Sequence, residues 1–122
     1  MYRIIFYEDR KGNSPVLEYI EKLAIRDDKE GSIKFGKVMD YIDKLREGGT
    51  RIGSKYVKHL DEEIWELRPM SDRILFGAWI ENSFVLLHHF RKETQKTPRS
   101  EIEKAKNELA DFKERNNLLE AI

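Results

Sequence analysis

Hydrophobic and polar positions alternate along the chain with two periods, and these divide it into segments. Residues 2–7, Tyr-Arg-Ile-Ile-Phe-Tyr, are β-branched and aromatic and give way to a polar cluster over 8–13, which predicts a short strand and a turn. Ser14-Pro15 sets an N-cap before a proline at the first helical position. Val16, Leu17, Ile20, Leu23 and Ala24 then recur at helical spacing, so a first helix is expected to about residue 25. After a charged break over 26–31, Phe35, Val38, Tyr41, Ile42 and Leu45 mark a second helix, with Gly48-Gly49 at its C-cap. Residues 50–58 read as a loop bearing Arg51, Lys55 and Lys58.

Three runs of strand character follow, over 63–69, 73–80 and 83–90, with gaps short enough for hairpins. The helical period returns at Thr97-Pro98, with Ile102, Ala105, Leu109 and Phe112 on one stripe and a capping box available from Ser100 to Glu103. That helix should fade near Asn116-Asn117 and leave Leu118, Leu119 and Ile122 as a small apolar tail. The order is β-α-α-β-β-β-α. It predicts one α+β domain over 1–122, a small antiparallel sheet with helices packed on one face.

Strand alternation assigns side chains to faces. With an even loop in the first hairpin, Arg68 lies opposite Arg73, while Trp65, Leu67, Ile74, Phe76 and Ala78 turn to the other face as core. Two guanidinium groups opposed in this way repel, which makes sense if an anion lies between them. Glu66 is placed to hold Arg68. Closing the second hairpin on Glu81-Asn82 puts Phe84, Leu86, His88 and Phe90 on the arginine face and Val85, Leu87 and His89 on the core face. Trp65 and Trp79 read as core, although the parity of Trp79 would allow base stacking.

Composition narrows the chemistry. Among 122 residues, Lys+Arg 23 balances Asp+Glu 23, which excludes a uniformly basic nucleic-acid coat but not a local patch. The densest local run is 91–99, where Arg91, Lys92, Lys96 and Arg99 face one Glu93 and lead into a helix N-terminus, a favourable place for phosphate. With Arg68, Arg73, Lys55 and Lys58 these form a candidate basic concavity. Cys 0 removes disulfides, thiolate metal sites and thiol nucleophiles. His59, His88 and His89 lack a metal spacing, and no phosphate loop, nucleophile elbow or H-E-x-x-H occurs. No apolar run approaches the roughly 20 residues that span a bilayer, and Glu8-Asp9-Arg10 interrupts the first apolar run too early for a signal peptide. A cytoplasmic protein without a membrane partner is expected.

The strings Ile64-Trp65-Glu66-Leu67-Arg68-Pro69 and Arg73-Ile74-Leu75-Phe76, then the run over 86–98 (Leu-Leu-His-His-Phe-Arg-Lys-Glu-Thr-Gln-Lys-Thr-Pro) and Glu101-Ile102-Glu103-Lys104-Ala105, stand in one order. In this the chain resembles the HigB branch of the RelE/ParE toxin superfamily, over about residues 55–106. Glu93 stands where that family commonly has lysine, and His89 where it has glycine.

The resemblance implies a RelE-like fold and a type II toxin. Such a toxin is a ribosome-dependent mRNA interferase, neutralised by a HigA-type helix-turn-helix antitoxin and reaching operator DNA only through that complex. It needs neither metal nor organic cofactor, because RNA supplies its own 2′-hydroxyl nucleophile. By position, Arg68, Arg73, His88 and Lys92 match the catalytic set; Lys55, Lys58, Arg91, Lys96 and Arg99 would bind RNA phosphate. Arginine forks suit that phosphate. Two other readings share the scaffold: a ParE-like gyrase poison, and a non-catalytic remnant that only binds its antitoxin.

Overall fold

The computed structural model describes residues 1–116. Strand β1 (Arg3–Phe6) leads to helices α1 (Pro15–Ala24) and α2 (Lys29–Gly48). A 3-10 turn at Gly49–Ile52 precedes β2 (Val57–Asp61), β3 (Ile64–Leu67), β4 (Asp72–Trp79) and β5 (Ser83–Arg91), and α3 (Arg99–Asn116) follows. Leu118, Leu119 and Ile122, expected as an apolar tail, lie outside the described residues. The α+β class and the element order are those expected, with one strand added.

That strand is β2, which falls partly in the segment read as a loop. It is an edge strand, and Lys58 and His59 are exposed on it. Charges on an edge discourage pairing with other chains and also erase the apolar alternation that marks a strand. The sheet order is β1-β5-β4-β3-β2, with β1 parallel to β5 and every other neighbour antiparallel.

Helices cover both faces of the sheet, not one. Val16, Ile20 and Leu23 of α1 and Val38, Ile42 and Leu45 of α2 pack with Leu67, Ile74, Phe76, Phe84 and Leu86. On the other face, Ala105, Leu109 and Phe112 of α3 pack with Ile64, Leu75, Val85 and Leu87. The apolar stripe of α3 needs a partner, and the α1/α2 face is already full. Ser14 begins α1 as expected, but its hydroxyl donates to the Tyr7 carbonyl at 2.9 Å and makes no cap. Asp28 caps α2 through Gly31 N–H.

The first hairpin has the even loop that the face assignment required: Leu67 pairs with Ile74 and Trp65 with Phe76. Ala78, expected in the core, is exposed near the end of β4. The second hairpin differs. Trp79 pairs with Ser83, so the turn holds three residues, Ile80, Glu81 and Asn82, the last two at positive φ. The extra residue reverses parity. Phe84 and Leu86 therefore lie with Phe76 on the α1/α2 face, and Val85 and Leu87 face α3. A bulge then skips Leu87, since Phe76 pairs with Leu86 and Leu75 with His88. This restores the expected parity: His88 and Phe90 share the face of Arg73, and His89 lies opposite. The bulge lets Leu87 and His88 both face α3, which keeps a fully buried leucine worth about 1.5–3 kcal/mol in the core.

Close approach of α3 explains Gly77 in mid-strand. A Cβ there would lie 2.7 Å from Leu109 Cδ2 and 3.4 Å from the Glu63 carbonyl. Gly77→Ala is expected to destabilise by about 1–3 kcal/mol through overpacking. The urea midpoint reads the loss, and Leu109→Ala in the same chain should recover part of it.

The far end of α3 is tied to β1 by charge. Asp111 accepts from the Tyr7 hydroxyl at 2.7 Å, from Arg10 Nε at 2.8 Å and from Arg115 Nη2 at 2.7 Å. Arg115 and then Tyr7 pull the Asp111 carboxyl down from 3.8 to about 2. Burial and then Asp111 push the Tyr7 hydroxyl up to about 12. A carboxyl depressed by folding adds stability above its unfolded pKa, and that stability is lost as pH falls through the folded value. Denaturation midpoints measured from pH 5 to about 2 should therefore fall, and Asp111→Asn should start lower and fall less. An equal slope in the variant would dismiss Asp111 as the source.

Candidate nucleic-acid interface

Strand parity gathers charge on the α3 face, at the end where β3 meets β4. Glu66 of β3 pairs with Leu75, and Lys58 of β2 lies directly across from Glu66. Arg73 lies two residues before Leu75 on the same face, and Arg68 extends the alternation just past β3.

Glu66 lies between these arginines and is 3% exposed. Its Oε2 is 3.5 Å from Arg68 Nε and 3.8 Å from Arg73 Nε, and its Oε1 accepts from the Thr97 hydroxyl at 2.5 Å. The anion that two opposed guanidinium groups call for is thus a side chain of the protein itself. Both Nε atoms are buried without a hydrogen-bond partner among the described residues, so their attraction to Glu66 is chiefly Coulombic. Arg68 Nη1 donates to the Ser54 carbonyl at 3.0 Å. Arg73 Nη1 donates to the carbonyls of Met70 at 2.9 Å and Asp72 at 2.8 Å. Burial draws the Arg73 guanidinium below its ordinary pKa, and the neighbouring Arg68 adds to this against the opposing pull of Glu66. The Arg68 side chain is 27% exposed and that of Arg73 8%, so Arg68 meets solvent while Arg73 acts from beneath.

The lysine-bearing segment after β5 folds back over this cluster. Lys92 N–H donates to the Ser71 carbonyl at 2.8 Å, and Thr94 donates to the Lys96 carbonyl at 2.6 Å. Thr97 closes the segment on Glu66. As a result Lys96 and Lys58, 38 positions apart in sequence, line one cleft of about 180 Å³ with His59, Leu60, Thr97 and Ile102.

The remaining expected residues are placed elsewhere. Lys55 lies over the Tyr56 ring, 5.4 Å from its centroid. Arg91 pairs with Asp72 in the register and takes the parity opposite to Arg73. Arg99 bonds Asp61 at 2.9 Å and Glu103 at 2.8 Å. His88 is 2% exposed, with Nδ1 2.5 Å from Glu108 and Nε2 3.0 Å from Glu101. Both ring nitrogens are occupied by α3, which leaves neither for a substrate. Trp79 is half-buried and packs edge-on against Phe112, with ring centroids 4.9 Å apart.

Sequence reasoning passed over the part of Thr97, which marks there only the return of the helical period, and of Glu101 and Glu108. The seven-residue spacing of the two glutamates puts both on one side of a helix, a signal that gains meaning only once His88 is known to face it.

Fold and site together define a small α+β protein whose sheet carries a cationic patch on one face, closed at its edge by the last helix. The chain belongs to the family described as phage derived protein Gp49-like (DUF891), whose model matches residues 27–110 and so spans every residue of the cluster. The family is one of toxin–antitoxin toxins, within the RelE/HigB-like group, and implies an antitoxin partner. No curated protein matches the chain.

Proposed function

We propose that this toxin is an mRNA interferase of HigB type that cuts translated messages on the ribosome and is held inactive by a HigA-type antitoxin. One observation carries this reading: two arginines and a buried carboxylate converge on one sheet face, with lysines from two distant segments beside them. Arg68, the more exposed guanidinium, contacts the scissile phosphate. Arg73 adds positive potential from below, where low dielectric makes it more effective. Lys58 and Lys96 hold the flanking backbone, and Lys92 or Lys96 protonates the leaving 5′-oxygen. The attacking group is the RNA 2′-hydroxyl, aligned by the bound backbone; it gives its proton to solvent water as the bond from the 2′-oxygen to phosphorus forms and the bond from phosphorus to the 5′-oxygen breaks. His88 has the part of anchoring α3 to β5, since two carboxylates occupy its ring.

The test is primer extension on a reporter message during induced expression without antitoxin, with Arg68→Ala alongside. New 5′ ends within the translated region, lost in the variant and when translation is blocked, are the expected result. Arrest with intact messages and DNA-damage signalling would replace this reading with gyrase poisoning; absence of arrest would leave only antitoxin binding.

A further inference from the structure

On the opposite side of the sheet from the arginines lies a buried polar cluster that the chemistry above leaves unused. Asp72, the first residue of β4, is 4% exposed. Its carboxylate accepts from the Tyr19 hydroxyl of α1 and lies 3.3 Å from the Lys34 ammonium of α2. Tyr19 is stacked on His89 of β5, with ring centroids 4.1 Å apart. Burial, reinforced by Asp72, pushes the Tyr19 hydroxyl above the ordinary phenol range and so keeps it a donor. Burial also holds His89 below its usual value.

Desolvating a carboxylate and an ammonium is costly, and apolar residues of similar size would often serve stability as well. This face already has Leu67, Ile74 and Phe76 in its core. What the cluster holds in addition is the turn between Arg68 and Arg73. The Asp72 N–H donates to the Pro69 carbonyl at 3.1 Å, and the Asp72 carbonyl accepts from Arg73 Nη1 at 2.8 Å. The neighbouring Ser71 carbonyl takes the Lys92 N–H. One residue therefore joins α1 and α2, through its side chain, to the backbone that presents the arginines and the first lysine.

We propose that Tyr19, Lys34 and Asp72 are positioning residues for the RNA-cleaving site, fixing the Arg68–Arg73 turn from α1 and α2. The inference rests on the reading given under Proposed function. The full chain is assayed on ribosomes programmed with a defined message. The saturated cleavage rate, the half-saturating concentration and the Tm are read for each variant.

Asp72→Asn is expected to slow the saturated rate by about 10²-fold, the effect of misplacing a reacting group by about 1 Å, with half-saturation unchanged. Tyr19→Phe should act in the same direction, by less, at a Tm near that of the unaltered chain. In an Arg73→Ala background, Asp72→Asn should bring a much smaller further loss than it brings alone, because both loosen the one turn that carries Arg68. Unaltered rates in both single variants overturn the proposal. So do losses that multiply in the double variant, which indicate general loosening. Should the unaltered chain leave the message whole, the enzymatic reading fails and the inference fails with it.

Discussion

Arg73→Ala is expected to abolish growth arrest at matched expression and to lower message cleavage by about 10²–10³-fold, the usual loss when one transition-state charge donor is removed. The arginine is 8% exposed at the side chain, so on the proposed reading its field would act on the phosphate through protein rather than water. Its Nη1 also holds the carbonyls of Met70 and Asp72, which sets the turn that carries Arg68. Arg73→Lys should rescue little, because an ammonium lacks the planar fork that serves both carbonyls while facing Glu66. Antitoxin capture by the variant, measured in parallel, separates loss of chemistry from loss of fold. Full arrest with intact capture would remove Arg73 from the site.

Glu66→Ala is expected to destabilise the protein by about 3 kcal/mol, near the lower end for breaking a buried ion pair, because Arg68 stays partly solvated. Two guanidinium groups would then lack their shared carboxylate, and Thr97 would lose its acceptor. Inorganic phosphate should restore part of the loss by occupying the vacated position, as linkage requires of a ligand that binds only the folded state. Denaturant midpoints with and without phosphate provide the measurement. A variant as stable as the parent, or one indifferent to phosphate, would show that Glu66 does not offset the arginine charges.

Elements with strong local signals were legible from the chain. The cap-then-proline at Ser14-Pro15, the glycine pair at 48–49 and the stripe Ile102, Ala105, Leu109, Phe112 each lie where the corresponding helix begins, ends or buries. The opposition of Arg68 and Arg73 was also legible, because a loop of even length leaves strand parity intact. Parity counted from Glu81-Asn82 puts Phe84 to Leu87 on the faces opposite to those they occupy. Glu81-Asn82 looks like a two-residue turn, yet the structure adds Ile80 to it, and no local pattern announces the bulge at Leu87. The two one-residue shifts cancel, so His88 and His89 lie on the faces that simple alternation predicts although the pairing between the strands differs.

Apart from the edge strand β2, the segments and their types are written in the sequence, as are the pairing of arginines on one face and the run of lysines beyond the last strand. These follow from side-chain periods and turn chemistry, which act within a few residues. Only the tertiary structure decided that α3 covers the second face, that Glu66 lies between the arginines and that Thr97 brings Lys96 beside Lys58. It also decided that Glu101 and Glu108 enclose His88 and that Asp72 reaches α1 and α2. Each of these contacts joins residues well separated along the chain, so it depends on strand register and helix docking, which the packing of the whole core sets and no local window contains.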